Sequence, residues 1–383
     1  MILYGGQVLR TECRDFAPMD LWIEGDKIRG VGARGAFDEK DSQRVDVTGY
    51  WIVPGLVDVH THGRIGYDFV DCSEEEIAAM AVDYARRGVT TLMPTLATAS
   101  YEQMIAMTDR INRFLPQKSH AGFCGVHWEG RYIHPAKRGA HAEHLLAKPS
   151  ARELDSQILT RCRRLHISAA LELDGDGSFS EKAKQIGATL GLAHTEATYA
   201  EAKRAEERGI VSYTHLFNCM PSLHHRDGGA VCAALEGDRI VELISDGVHI
   251  SPEMIRLVYR SKGVDEISLI SDSIAAAGYP DGKYEVGGLS VTVRDGIART
   301  DEKGALAGST LSLDVAVTRF AEYCRIPLAE AIVSATATPA KQIGMYDTVG
   351  SIDEGKTADL ILLSTPHQMI PRRILLRGQW LTI

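Results

Sequence analysis

Pro54-Gly55-Leu56-Val57-Asp58-Val59-His60-Thr61-His62-Gly63 is the stretch whose reading decides the fold of this chain. From Trp51 to Val59 it reads as one apolar strand, and it ends in His-x-His. Side chains alternate along a strand, so residues two apart share a face. At the C-terminal end of a strand, where βα enzymes gather their chemistry, His60 and His62 would converge on one point. Neutral imidazole is a favoured ligand for divalent transition metals. A pair of hydrogen-bonded histidines is the ordinary alternative, and so short a motif does not choose between them.

C-terminal to this stretch the chain alternates strands and helices. Ser73 and Glu76 form a Ser-x-x-Glu capping box, which predicts a helix running to about Arg87. Val89 to Met93 reads as a strand, Tyr101 to Phe114 as a helix and Phe123 to Trp128 as a strand. Ser150 to Leu165 reads as a helix and Ile167 to Leu173 as a strand, and later strands end near His194, His215, Asp246 and Asp272. Repeated βα units argue for the α/β class, as a parallel sheet or a (β/α)8 barrel. Tyr284 to Arg299, with turns at Gly287-Gly288 and Asp295-Gly296, reads as a strand-rich insertion. Residues 1–50 read as short strands with a hairpin at Gly25-Asp26, and 349–383 carries the strand Leu360 to Leu363. The expected organisation is a small sheet domain from 1–50 plus 349–383, and a barrel over 51–348.

Length and composition fit that picture. The 383 residues suffice for a barrel and a smaller domain. The composition, 44% hydrophobic and 24% charged, is that of a soluble globular protein. No apolar run approaches the ~18 residues of a membrane span, and Met1 to Gly6 shows no secretory signal. The net charge of −9, without a basic block, argues against a nucleic-acid partner. Seven scattered cysteines with no Cys-x-x-Cys pair read as reduced cytosolic thiols.

Imidazoles and carboxylates recur where apolar runs stop: His60 and His62, Glu129, His194, His215, Asp272. Each has an ordinary reading as a cap, a core histidine or a surface acid. Their common placement changes the balance, because in a barrel those strand ends meet on one face. Four histidines and two carboxylates make a nitrogen- and oxygen-rich cage for zinc or a similar ion. Such an ion would lower the pKa of water towards neutrality.

These residues sit in recognisable blocks. Besides 54–63 they are His127-Trp128-Glu129-Gly130, Lys137-Arg138-Gly139-Ala140-His141 and Thr214-His215-Leu216-Phe217-Asn218-Cys219-Met220. They continue with Leu223-His224-His225-Arg226, Asp246-Gly247-Val248-His249, 271–278 and 306–311. Over nearly its whole length the chain resembles the amidohydrolase superfamily, and within it the N-acetylglucosamine-6-phosphate deacetylase family. The resemblance implies a (β/α)8 barrel with a β-sandwich built from both termini. It implies hydrolysis of the acetamide of N-acetylglucosamine-6-phosphate in amino-sugar catabolism, and a cytoplasmic homodimer acting on a small phosphorylated sugar, with neither nucleic acid nor membrane as partner.

By position, Glu129, His194 and His215 resemble the family's principal metal ligands and Asp272 its catalytic carboxylate. His141 resembles the residue that bonds the substrate near its carbonyl. Asn218, Cys219 and Arg226 resemble the phosphate contacts, and His249 a sugar-hydroxyl contact. Members differ in metal count, and with both histidines of His-x-His present one or two ions per subunit are expected, zinc first. Three departures bear on substrate choice: Arg131-Tyr132 where the family usually has Pro-Phe, 169–174 where it has Ala-Pro-Glu, and Thr195-Glu196 where it has Ser-Asn. The rivals are deacetylation of another N-acetylhexosamine phosphate such as the galactosamine epimer, another amidohydrolase, and a non-catalytic sugar-phosphate sensor. Many amidohydrolases bridge two metals with a carboxylated lysine, and Ile167 to Leu173 contains none. A sensor would have no need of Asp272.

Overall fold

A computed structural model describes residues 1–37, 43–117 and 119–382. Residues 38–42 and Ile383 of the expected terminal domain, and Lys118 of the barrel, lie outside the described residues. Eight parallel strands form the barrel wall: β1 (Leu56–Thr61), β2 (Val89–Leu96), β3 (Val126–Glu129), β4 (Leu165–Ala169), β5 (Thr189–Leu192), β6 (Ser212–Tyr213), β7 (Ile240–Leu243) and β8 (Ile267–Leu269). Each pairs with the next in chain order. The ring closes beyond β8, where Asp272 N–H donates to His60 O at 3.0 Å and His62 N–H to Ser273 O at 2.8 Å. The backbone alone thus brings Asp272 beside His-x-His. Every residue of β1 and β2 is buried, as expected of parallel strands covered on both faces. The helix Glu74–Arg86 starts on the capping box read from Ser73 and Glu76.

Among the described residues, both ends of the chain build a separate nine-stranded sheet with its own core, including Leu3, Leu21, Ile28, Leu360 and Leu362. Leu360–Leu363 pairs antiparallel with Trp51–Pro54, which also pairs with Gln7 and Val8. The single strand expected over Trp51 to Val59 is therefore two strands in two sheets. Gly55 makes the break. Its N–H donates to Asp359 O at 2.9 Å, and a Cβ on it would lie 2.1 Å from Thr90 Oγ1. Gly55→Ala is expected to cost about 1–3 kcal/mol through this overpacking, read as a lower urea midpoint at unchanged slope.

Other expectations need correction. Ser150 to Leu165 is not one helix but a short 3-10 turn, Ala151–Leu154, and a helix over Gln157–Arg161. Tyr101 OH takes the Glu153 carbonyl at 2.7 Å, and Ser156 adopts extended backbone and caps Ile158 N. The strand expected over Ile167 to Leu173 stops at Ala169 and gives way to a 3-10 turn over Leu171–Leu173. Asp174, buried, accepts the amides of Phe179 and Ser180 and so turns the chain into the next helix. The insertion is a three-stranded antiparallel sheet, Gly282–Val286, Leu289–Arg294 and Ile297–Thr300, with both glycine turns where the sequence sets them.

Candidate metal and active site

The strand ends deliver the six candidate side chains to one place. His60 lies in β1 and Glu129 ends β3, whereas His62, His194, His215 and Asp272 lie just past the ends of β1, β5, β6 and β8. His194, His215 and Asp272 have φ of 44°, 31° and 46°. Left-handed backbone at non-glycine residues costs about 1–3 kcal/mol each and persists only where its surroundings enforce it. Here the strands stop and the chain turns sharply, which aims the side chains inward.

Glu129 is the hub. Its Oε1 lies 2.8 Å from His215 Nε2 and 3.1 Å from His194 Nε2. Its Oε2 lies 2.9 Å from His62 Nε2 and 3.6 Å from His60 Nε2. Asp272 Oδ1 lies 3.3 Å from His62 Nε2 and 3.5 Å from His60 Nε2. All six side chains are buried. Burial opposes charge, but the imidazoles around Glu129 and Asp272 hold both carboxyls below their ordinary range. Burial likewise opposes a proton on His62, and Asp272 and Glu129 outweigh it, raising its pKa to about 9. His141 goes the other way, to about 3: burial dominates and neighbouring imidazoles add to it, against Glu129.

A divalent ion fits this donor set. Among the described residues, His60 Nε2 and Asp272 Oδ1 are buried without a hydrogen-bond partner, and nitrogen with carboxylate oxygen is the ligand chemistry of zinc. The rings are pre-oriented from behind. His194 Nδ1 is 2.7 Å from the Lys137 carbonyl and His60 Nδ1 is 3.1 Å from Glu242 Oε2, so each turns its Nε2 to the centre. Gln342 Nε2 holds the other Glu242 oxygen at 2.7 Å.

A cavity of about 220 Å³ opens on the cluster. His62, Glu129, His141, His194, His215, Asn218, Cys219, His249 and Asp272 line it. His60 lies behind this wall, fully buried. His249 Nδ1 is held 2.7 Å from Asp246 Oδ2, and Asn218 Nδ2 donates to the His215 carbonyl at 3.1 Å. Arg226 is exposed and outside the cavity wall, with its guanidinium 2.8 Å from His225 Nε2.

Arg131 does not line the cavity either. Its guanidinium makes two bonds to Glu153, at 2.9 and 2.8 Å. The other two departures are one unit: Thr195 Oγ1 and Glu196 N–H both donate to the Glu172 carboxylate, at 2.7 and 2.8 Å. Sequence reasoning missed Glu242, Gln342 and Thr98. Glu242 left a trace, a lone acid inside the apolar run Ile240-Val241-Glu242-Leu243. Gln342 and Thr98 left none, because their partners are distant in sequence.

The Amidohydrolase family profile matches residues 51–381. An N-acetylgalactosamine-6-phosphate deacetylase of Escherichia coli O157:H7 is 34% identical, over 86% of this chain and 87% of that one. An N-acetylglucosamine-6-phosphate deacetylase of Bacillus subtilis is 32% identical, over 83% and 82%. Among solved structures, the N-acetylglucosamine-6-phosphate deacetylase of Pasteurella multocida superposes with a TM-score of 0.89 at 27% identity, covering 99% of this chain and 98% of that one. A mutant deacetylase of Mycobacterium smegmatis, in complex with N-acetyl-D-glucosamine-6-phosphate, gives 0.88 at 30% identity, over 100% and 99%.

Proposed function

This chain belongs to the amidohydrolase family, and from that premise we propose that it hydrolyses the acetamide of N-acetylglucosamine-6-phosphate, releasing acetate and glucosamine-6-phosphate. The observation that carries the reading is Glu129 bonded at once to His62, His194 and His215, with Asp272 facing the same space. Glu129, His194 and His215 would hold one divalent ion, and His60 and His62, with Glu129 bridging, a second and weaker one. When bound, such an ion, zinc by first expectation, acidifies water and polarises the acyl oxygen.

The side chains do the rest. Asp272, kept ionised, takes a proton from the attacking water and delivers it to the nitrogen as the C–N bond breaks. His141 donates a hydrogen bond to the acyl oxygen as negative charge builds there. His249 meets a sugar hydroxyl. Asn218 and Cys219 face the phosphate, and Arg226, a forked cation, anchors it. The working form is a cytoplasmic homodimer. That an E. coli enzyme of 34% identity acts on the galactosamine epimer supports a second reading, deacetylation of that sugar phosphate. Asp272, a carboxylate facing His60 and His62 beside Glu129, weighs against a mere sensor.

Acetate release from a panel of N-acetylated hexosamines and their 6-phosphates tests this. N-acetylglucosamine-6-phosphate is expected to have the highest kcat/KM. A preference for the galactosamine epimer would favour the second reading, and equal hydrolysis of the unphosphorylated sugar would reject the Arg226 assignment. Metal analysis tests the cation count: His60→Asn is expected to lower the content per chain towards one. Unchanged stoichiometry would reject the second site.

A further inference from the structure

We propose that Thr98 is a positioning residue that keeps the ring proton of His141 on Nε2, making His141 a hydrogen-bond donor to the substrate and not a metal ligand. The donor role rests on the deacetylase reading above. The position of the proton does not.

Thr98 lies two residues past β2 and is 2% exposed. Its Oγ1 sits 2.7 Å from His141 Nδ1. The Arg131 backbone N–H donates to the same oxygen at 2.9 Å. A hydroxyl has one proton to give and two lone pairs to offer. Arg131 takes one lone pair, which leaves two arrangements: Thr98 donates to Nδ1, or it accepts from Nδ1–H. In the second arrangement the threonine proton has nowhere to go, because among the described residues Oγ1 has no other partner. A buried O–H without an acceptor is the costlier state. Thr98 therefore donates, Nδ1 accepts, and the neutral ring carries its proton on Nε2.

The amide that orients Thr98 is itself fixed. Gly130 has φ 126°, and a Cβ there would lie 2.0 Å from Thr98 Oγ1, so only glycine lets the Glu129–Arg131 turn press onto the hydroxyl. Arg131 has φ 63°, and its bidentate bond to Glu153 anchors that strained residue. The charge next to Glu129 thus serves the site through its backbone, with its side chain as the tether.

The consequence separates two roles that distance leaves mixed. Glu129, His141 and His194 have donor atoms close enough to share an ion. A nitrogen that carries a proton has no lone pair for a metal. His141 Nε2 is 3.8 Å from Glu129 Oε2, beyond hydrogen-bond reach, and His141 lines the cavity. Its N–H is left for the substrate.

Long-range proton–nitrogen spectra of the zinc-loaded full chain, with labelled histidine and His141→Gln to assign the signals, read the tautomer directly. The expected result is a protonated Nε2 and a bare Nδ1 on His141, with the zinc content of His141→Gln unchanged. A proton on Nδ1, or loss of a zinc equivalent in His141→Gln, would overturn the proposal. Thr98→Val removes the hydroxyl at nearly constant volume. It is expected to lose the single tautomer and to lower kcat for N-acetylglucosamine-6-phosphate by about tenfold or more, with KM moving much less. Thr98→Ser is expected to restore both. An unchanged tautomer and kcat in Thr98→Val would also overturn the proposal. If that variant does not fold, the wild-type spectrum decides. Absence of acetate release from every sugar phosphate would defeat the deacetylase reading and the donor role with it, and the spectrum would still fix the proton.

Discussion

Asp272→Asn is expected to lower kcat by about 10²–10⁴-fold while the protein keeps its fold and metal. Asparagine matches aspartate in shape and is among the residues that best tolerate the left-handed backbone found at φ 46°. What it lacks is a carboxylate to carry the proton from water to the leaving nitrogen. Burial opposes charge on the wild-type carboxyl, and His60 and His62 outweigh it and hold its pKa below the ordinary range, as the proposed role requires. Acetate release measured beside metal content and thermal midpoint separates the possibilities. Full turnover in the variant would exclude Asp272 as the proton carrier. Lost metal would make it a ligand first.

Glu242→Ala is expected to destabilise the metal-free protein by about 3–5 kcal/mol. Glu242 is a fully buried charge on β7 and is not part of the cavity wall. Its two oxygens face His60 Nδ1 at 3.1 Å and Gln342 Nε2 at 2.7 Å. Truncation strands both partners and opens a void, the two costliest consequences of a core substitution. Glu242→Gln retains an acceptor for His60 and is expected to cost less. Urea titration in the presence of a chelator measures both without contribution from bound metal. A loss below about 1 kcal/mol would mean that the buried contacts are worth no more than exposed ones.

What the sequence disclosed follows from the range of the forces involved. The capping box at Ser73, the glycine turns of the insertion and the alternation of strands and helices are written in neighbouring residues, and all are legible. The strand-end pattern of His60, His62, Glu129, His194, His215 and Asp272 is legible too, because a barrel places strand ends on one face whatever lies between them. The break at Gly55 is not legible. Trp51-Ile52-Val53 and Leu56-Val57 are equally apolar, and what divides them is distant in sequence: Thr90, the Asp359 carbonyl and the Leu360–Leu363 pairing. The helix expected over Ser150 to Leu165 fails for a similar reason, since Tyr101 claims a carbonyl from about fifty residues away. Glu242, Gln342 and Thr98 act on histidines that only the folded chain makes their neighbours.

The two-sheet path of 51–61 sets an order on assembly during synthesis. Trp51–Pro54 leads through one glycine into the strand that bears His60, and its antiparallel neighbour Leu360–Leu363 leaves the ribosome long after it. The segment that leads into His60 and His62 thus gains this partner only after His194, His215 and Asp272 have been made. Nascent chains halted before Leu360 would carry every proposed ligand and still lack the brace that steadies the earliest pair.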